Sequence, residues 1–247
     1  MPTKNYFEEK GSHYAQYRPT YPQQLASELA SLCPSQDHAL DVGCGTGQFS
    51  AELAEHFALV TATDLNLEQI KHALPVANIT YQKESAEHIS VKENSVDLIV
   101  AAQAAHWFNL PTFYEEARRV AKDSALIALV SYGVPIIEGE LNERFKQFYW
   151  QEIHQFWPPE RIHVENGYQS LHFPFEELSL PDMSIDRQWT IKELIGYIET
   201  WSAVRLARKA SQGYLIESFK RDVESVCPDQ FKTHIISWPI TARLGNL

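Results

Sequence analysis

The sequence predicts a doubly wound α/β fold, with a largely parallel sheet covered by helices on both faces. Three observations carry this reading. Short, continuously apolar strands alternate with helical segments through the first half of the chain. A glycine cluster stands between the first strand and the next helix, where the backbone must turn sharply. Acidic residues end or follow the next two strands, so polar groups gather at the carboxyl ends of the strands, where such sheets bind ligands.

Pro22 opens a helix with Leu25, Leu29 and Leu32 on one face. Residues 38–42 are an apolar strand, and the helix after it carries Phe49, Leu53 and Phe57 at four-residue spacing. Residues 59–63 form the second strand, ending at Asp64. A helix around Leu67, Ile70 and Leu74 closes near Pro75. Residues 79–82, 96–101 and 125–130 are the third, fourth and fifth strands. A helix opened by Pro111 precedes the fifth.

After Gly133 the pattern changes. Residues 140–157 read as a long aromatic helix stopped by Pro158-Pro159. Thr190 and Glu193 form a capping box for a helix through Ile198 and Trp201. Phe219, Val223 and Val226 suggest another helix. Residues 233–244 read as an edge strand, because Pro239 cannot donate to a ladder. The expected organisation is one structural domain: a cap and first helix over 1–34, a ligand-binding core over 35–135, and remaining strands with helical lid insertions over 136–247.

Composition narrows the function. The chain has 247 residues, 44% of them hydrophobic, which supplies ample core and excludes dominant disorder. A net charge of −11 disfavours nucleic-acid partners. The sequence has no membrane span and an N-terminus unlike a signal peptide, and three scattered cysteines fit a reducing compartment, so a cytoplasmic location is expected. The ten histidines show no convincing ligand spacing, so no metal is expected.

The glycine segment runs from Asp41 through Gly43, Cys44, Gly45 and Gly47. Its spacing differs from that of dinucleotide binders, and it lacks the lysine of a P-loop. Asp41 would repel a pyrophosphate and suits a cationic ligand. Asp64 could accept both hydroxyls of a ribose, and Ser85-Ala86-Glu87 stands where an adenine could lie. Each has a plain alternative: Asp41 as a turn cap, Asp64 as a helix-start acid, Glu87 as a solvated side chain.

The segments Asp41 to Gly47, Thr61 to Asp64, Ser85 to Glu87 and Ser95 to Val100 resemble the ordered motifs of class I S-adenosylmethionine (SAM)-dependent methyltransferases. The resemblance implies a Rossmann-like seven-stranded sheet with the last strand antiparallel. It implies SAM as cofactor, S-adenosylhomocysteine as product and no metal. Asp41, Gly43, Cys44 and Gly45 would line the methionine end, Asp64 and Leu65 the ribose, and Ser85, Ala86 and Glu87 the adenine. Further stretches, from Tyr14 to Pro22, from Gln103 to Phe108 and from Thr200 to Ser202, resemble the subgroup that includes trans-aconitate methyltransferase. That likeness implies SAM contacts for Tyr14 and Arg18, the latter at the carboxylate.

A small-molecule acceptor is expected, and O-methylation of a carboxylate is the reading adopted. A carboxylate is ionised at neutral pH and needs no base. Trp201, Ser202 and Arg205 fall on one helix, an aromatic wall beside a guanidinium suited to a small anion, although core packing for Trp201 and a surface pair for Arg205 fit equally. His106 and Trp107 follow the fourth strand and should face the acceptor, and Gln103 is expected to offer an amide to cofactor or substrate, its plain alternative being a polar strand end. His106 is the candidate base for an alternative, methylation of an aromatic or quinone-like metabolite at carbon or oxygen; its plain alternative is a packed wall residue. The rival from another class is a SAM-binding protein without catalysis. Oligomeric state is not legible.

Overall fold

The structure, a computed structural model, describes Tyr17, residues 19–73 and residues 75–247. In chain order its elements are α1 (Gln23–Leu32), β1 (His38–Val42), α2 (Gln48–Ala54), β2 (Leu59–Asp64), α3 (Leu67–Lys71), β3 (Ile79–Lys83), β4 (Val96–Ala102), α4 (Leu110–Val120) and β5 (Ala121–Tyr132). These are followed by β6 (Ile136–Ile137), α5 (Leu141–Gln147), α6 (Arg161–Glu165), β7 (Glu177–Leu178), β8 (Ser184–Thr190), α7 (Ile191–Glu199), α8 (Ser202–Lys209), α9 (Tyr214–Val226) and β9 (Thr233–Asn246).

The chain forms two compact units. The first holds residues 20–133, 162–185 and 239–247, so α1 and two segments expected with the second half belong to the core. Its strands run β3-β2-β1-β4-β5-β9, parallel through β5, with β9 antiparallel to β5 from Leu126↔Asn246 to Tyr132↔Ile240. The antiparallel last strand expected from the resemblance is present. β1, β4 and β5 are buried almost without interruption on both faces, which is why they read as apolar runs rather than alternating ones.

Two helical expectations need correction. In α1 the buried face is Leu25, Ala26, Leu29 and Ala30; Leu32, the helix's last residue, is exposed, and Cys33 is buried in its place. α3 buries no side chain and Leu67 is exposed, because this short helix is set up by a polar cap, Asn66 Oδ1 accepting from Glu68 N–H at 3.0 Å. Leu74 lies outside the described residues.

The strand expected at an edge is not one. β9 pairs with β5 and β7 in the first unit and with β6 in the second, and β8 pairs with it as well. Pro239 is tolerated because it falls between register blocks: pairing with β5 stops at Ile240 and pairing with β6 starts at Ser237. The Pro239 carbonyl still accepts from Gly133 N–H at 3.0 Å.

Among the described residues, the second unit comprises Tyr17, Pro19, 134–161 and 186–238. Its aromatic helix is continuous from Leu141 to Phe156, but residues 148–153 are a π-helical turn and residues 154–156 a 3₁₀ turn. The wider turn puts Phe148 and Ile153 in line at five-residue spacing, and both are fully buried. Phe148 stacks on Phe219 of α9 with ring centroids 4.3 Å apart. The Thr190–Glu193 capping box is present and starts α7, which stops at Glu199, short of Trp201. Gly196 inside α7 leaves room for the Tyr17 ring, which a Cβ there would approach to 2.6 Å.

At the amino ends of the strands, the fully buried Asp97 organises the first unit. Its carboxylate accepts from Ser35 Oγ at 2.6 Å, from the N–H groups of Asp37 and His38 at 3.1 and 2.9 Å, and from Lys122 Nζ at 3.0 Å. This ties the start of β1 to β4 and β5 with charge-assisted bonds. Replacing Asp97 by Ala strands two amides and leaves Lys122 with Asp37 alone of its two carboxylates, and urea unfolding should show a loss of about 3 kcal/mol. Because Asp97 lies at the opposite end of the strands from the glycine loop, ligand affinity of the folded variant should stay near wild type.

Candidate functional site

The site is built at the carboxyl end of β1. Gly43, Gly45 and Gly47 all adopt left-handed backbone, with φ of 75°, 58° and 76°. The loop folds back so that the N–H groups of Gly43 and Cys44 donate to Thr63 O at 2.8 and 2.9 Å. A Cβ at Gly43 would stand 2.5 Å from Ala104 Cβ, whereas at Gly45 it would meet nothing within 4 Å. Gly43 is therefore required by packing, and Gly45 leaves an open approach to the backbone.

Two carboxylates border this loop. Asp64 ends β2; its Oδ2 accepts from Gly45 N–H at 2.9 Å and its Oδ1 from Asn66 N–H at 2.7 Å. Both oxygens keep a lone pair for a further donor. Asp41 is only 1% exposed. Its Oδ2 accepts a 2.6 Å bond from Ser50 Oγ, while its buried Oδ1 has no hydrogen-bond partner among the described residues. Ser50 was not singled out in the sequence; its one signal was a serine on the buried face of α2, between Phe49 and Leu53.

Burial pushes the Asp41 carboxyl up to about 7; the Ser50 bond opposes this and the nearby Asp64 charge adds to it. A buried carboxylate oxygen without a partner, beside a second carboxylate, calls for a cation. Cys44 is likewise pushed up, first by burial and then by Asp41 and Asp64, so it carries no thiolate.

The remaining expected cofactor contacts are distributed around this centre. Leu65, beside Asp64, is 59% exposed, an apolar surface next to that carboxylate. Residues 85–88 form a turn closed by His88 N–H to Ser85 O at 3.2 Å, which leaves the central N–H groups of Ala86 and Glu87 outside that bond. The Glu87 side chain is engaged within the protein, its Oε1 accepting from Asn109 N–H at 2.9 Å at the entry to α4. Gln103, at φ 57°, donates its Nε2 to Tyr132 O at 2.8 Å, which ties its amide to the end of β5 and leaves its Oε1 out of that bond. Tyr14 and Arg18 lie outside the described residues.

On the acceptor side, His106 and Trp107 occupy a 3₁₀ turn after β4, their rings 4.9 Å apart. His106 Nδ1 stands 2.9 Å from the Tyr168 hydroxyl, a partner with no signal in the sequence. Trp201 departs from expectation. It is 2% exposed, enclosed by Phe145, Phe148, Tyr149, Trp157 and Tyr197, and belongs to the core of the second unit. It caps α8, while Ser202 and Arg205 lie within the helix and are half-buried. The described residues hold no cluster of three or more potential metal ligands, and no described helix is long and apolar enough to cross a membrane.

The Asp41 carboxyl makes a stability prediction. Its folded value near 7 exceeds the ordinary 3.8, so the folded state holds the proton more tightly. Ionisation then opposes folding increasingly as pH rises from about 4 to about 7, and by a constant amount above. Asp41→Asn keeps the bond from Ser50 and removes that cost. The ligand-free variant should be more stable than wild type at pH 8, on the order of 2 kcal/mol, and no more stable at pH 4. Urea titrations at the two pH values check this.

The family profile of a methyltransferase domain matches residues 40–129, the span of the loop, both acids and β4. A candidate methyltransferase of Dictyostelium discoideum is 33% identical over 228 residues, 89% of this chain and 87% of its own length. The malonyl-[acyl-carrier protein] O-methyltransferase of Dechloromonas aromatica is 33% identical over 125 residues, 49% of this chain and 45% of its own. A solved structure from Anaeromyxobacter dehalogenans, described as a candidate type II methyltransferase, aligns with a TM-score of 0.88 at 38% identity, over 93% of this chain and 98% of that one. Likeness along nearly the whole length, on a sheet whose acids meet at the glycine loop, establishes that the chain belongs to the class I SAM-dependent methyltransferases.

Proposed function

We propose that the protein transfers the methyl group of SAM to a carboxylate oxygen of a small-molecule metabolite. The observation that carries the cofactor half is the unpartnered Oδ1 of buried Asp41, which a ligand ammonium or sulfonium would satisfy. The residues fit the rest of SAM as well: Asp64 has lone pairs for the ribose hydroxyls, and the amides at Ala86 and Glu87 suit adenine. When bound, SAM supplies a sulfonium methyl open to in-line displacement and leaves as S-adenosylhomocysteine.

Two observations support an anionic acceptor. Arg144, Arg208 and Arg243 are each matched to a carboxylate. Half-buried Arg205, by contrast, has no ion-pair partner among the described residues. Ser202 stands three residues before it on the same helix face. One relative is an O-methyltransferase of a malonyl thioester, whose free acid is a carboxylate. Such an acceptor is ionised at neutral pH, so the protein's task is to bind and orient it and to exclude water.

The second reading keeps the cofactor and changes the acceptor. The hydrogen bond between His106 and Tyr168 could orient an imidazole base, which a hydroxyl or ring carbon of an aromatic metabolite requires.

Two measurements test these readings. Labelled methyl transferred from SAM into a metabolite extract should be released by mild base, as methyl esters are. Base-stable label, with a rate that rises with pH and is lost in His106→Ala, would establish the second reading instead. SAM binding without label in any product would mark a non-catalytic protein. Separately, Asp64→Ala should weaken SAM binding by about 10- to 100-fold in calorimetry with the far-UV spectrum retained. Unchanged affinity would remove Asp64 from the ribose.

A further inference from the structure

Tyr168 is held in place more firmly than its position in a connecting segment requires. It is fully buried, yet its backbone is left-handed at φ 65°, directly after Gly167 at φ 62°. Bulky residues rarely adopt this conformation, and it persists where the surroundings over-determine it. Here they do. Tyr168 N–H donates to His163 O at 2.7 Å. Its own carbonyl accepts from Arg243 Nη1 at 3.2 Å, and that guanidinium is clamped by Glu177 through bonds of 2.8 and 2.6 Å. Arg243 also donates to Leu171 O at 3.0 Å and lies over the Phe173 ring. The product of this strand-to-loop clamp is one phenolic hydroxyl placed 2.9 Å from His106 Nδ1, at the carboxyl end of β4.

We propose that Tyr168 is a positioning residue that donates its hydroxyl to His106 Nδ1 and so fixes the imidazole as its Nε2–H tautomer. A phenol is a strong donor and an imidazole nitrogen a strong acceptor, which favours this direction of the bond. The bond made by one ring nitrogen sets the protonation of the other. An Nε2–H cannot remove a proton, but it can hold a carboxylate oxygen. The inference rests on the proposed carboxylate acceptor for its purpose, though not for its geometry.

The test uses the whole protein with ¹⁵N-labelled histidine rings. At a pH where His106 is neutral, wild type should show Nδ1 bare and Nε2 protonated, as a single tautomer. Tyr168→Phe keeps the buried ring and should lose this single-tautomer signature, giving a mixture at an unchanged thermal midpoint. Protonated Nδ1 in wild type, or an unchanged His106 signature in Tyr168→Phe, overturns the assignment. Activity supplies a second readout, because glutamine offers an N–H donor and no base. With labelled SAM and a metabolite extract, His106→Gln should incorporate at least fivefold more label than His106→Leu. Equal loss in both overturns the donor role. Absence of label even in wild type would defeat the carboxylate function and leave the ring-nitrogen spectra to decide the role of Tyr168.

Discussion

The way the chain leaves β1 constrains everything around the site. Three left-handed glycines let the loop fold back onto the end of β2, where its amides find Thr63 O and the Asp64 carboxylate. The same turn seals Asp41 beneath the loop, with one oxygen on Ser50 and the other unmatched. Burial, to which the nearby Asp64 charge adds, raises the Asp41 carboxyl to about 7, so its charged form is costly in this position. The ligand-free fold therefore holds Asp41 with one buried oxygen unmatched among the described residues.

The first unit separates its structural and functional charges. Asp97 and Lys122 sit at the amino ends of the strands in a fully connected network, which rigidifies the sheet. Asp41, Asp64 and His106 sit at the other end. There the groups that hold the side chains come from other elements: Ser50 from α2, the next helix along, Tyr168 from the segment after α6, and Arg243 from β9. β9 thus does more than complete the sheet, because Arg243 fixes the backbone that carries the Tyr168 hydroxyl.

The second unit is built differently. Its stability comes from stacked and edge-on aromatic rings around Phe145, Phe148, Trp201 and Phe219, with Arg144 lying over Phe219 and bonded to Asp222 at 2.9 Å. A core of this kind uses its large side chains on itself. Trp201 is consumed in that way, enclosed by the rings of its own unit.

The local pattern of the chain was enough to specify the strands β1 to β5, the glycine turn, its flanking acids and the capping box at Thr190. Each depends on a signal confined to a few neighbouring residues: an apolar run, a glycine requirement, a cap. Folding decided what depends on residues distant in sequence. Whether Trp201 walls a pocket or fills a core is set by five rings from three separate segments. The tolerance of Pro239 is set by where two partner strands end. The partner of His106 lies 62 residues away, on a left-handed tyrosine held by a β9 arginine. Periodicity reports which face of an element is buried, but not which other segment will cover it. That assignment is made only when the whole chain competes for the same core and every buried polar atom must find its partner.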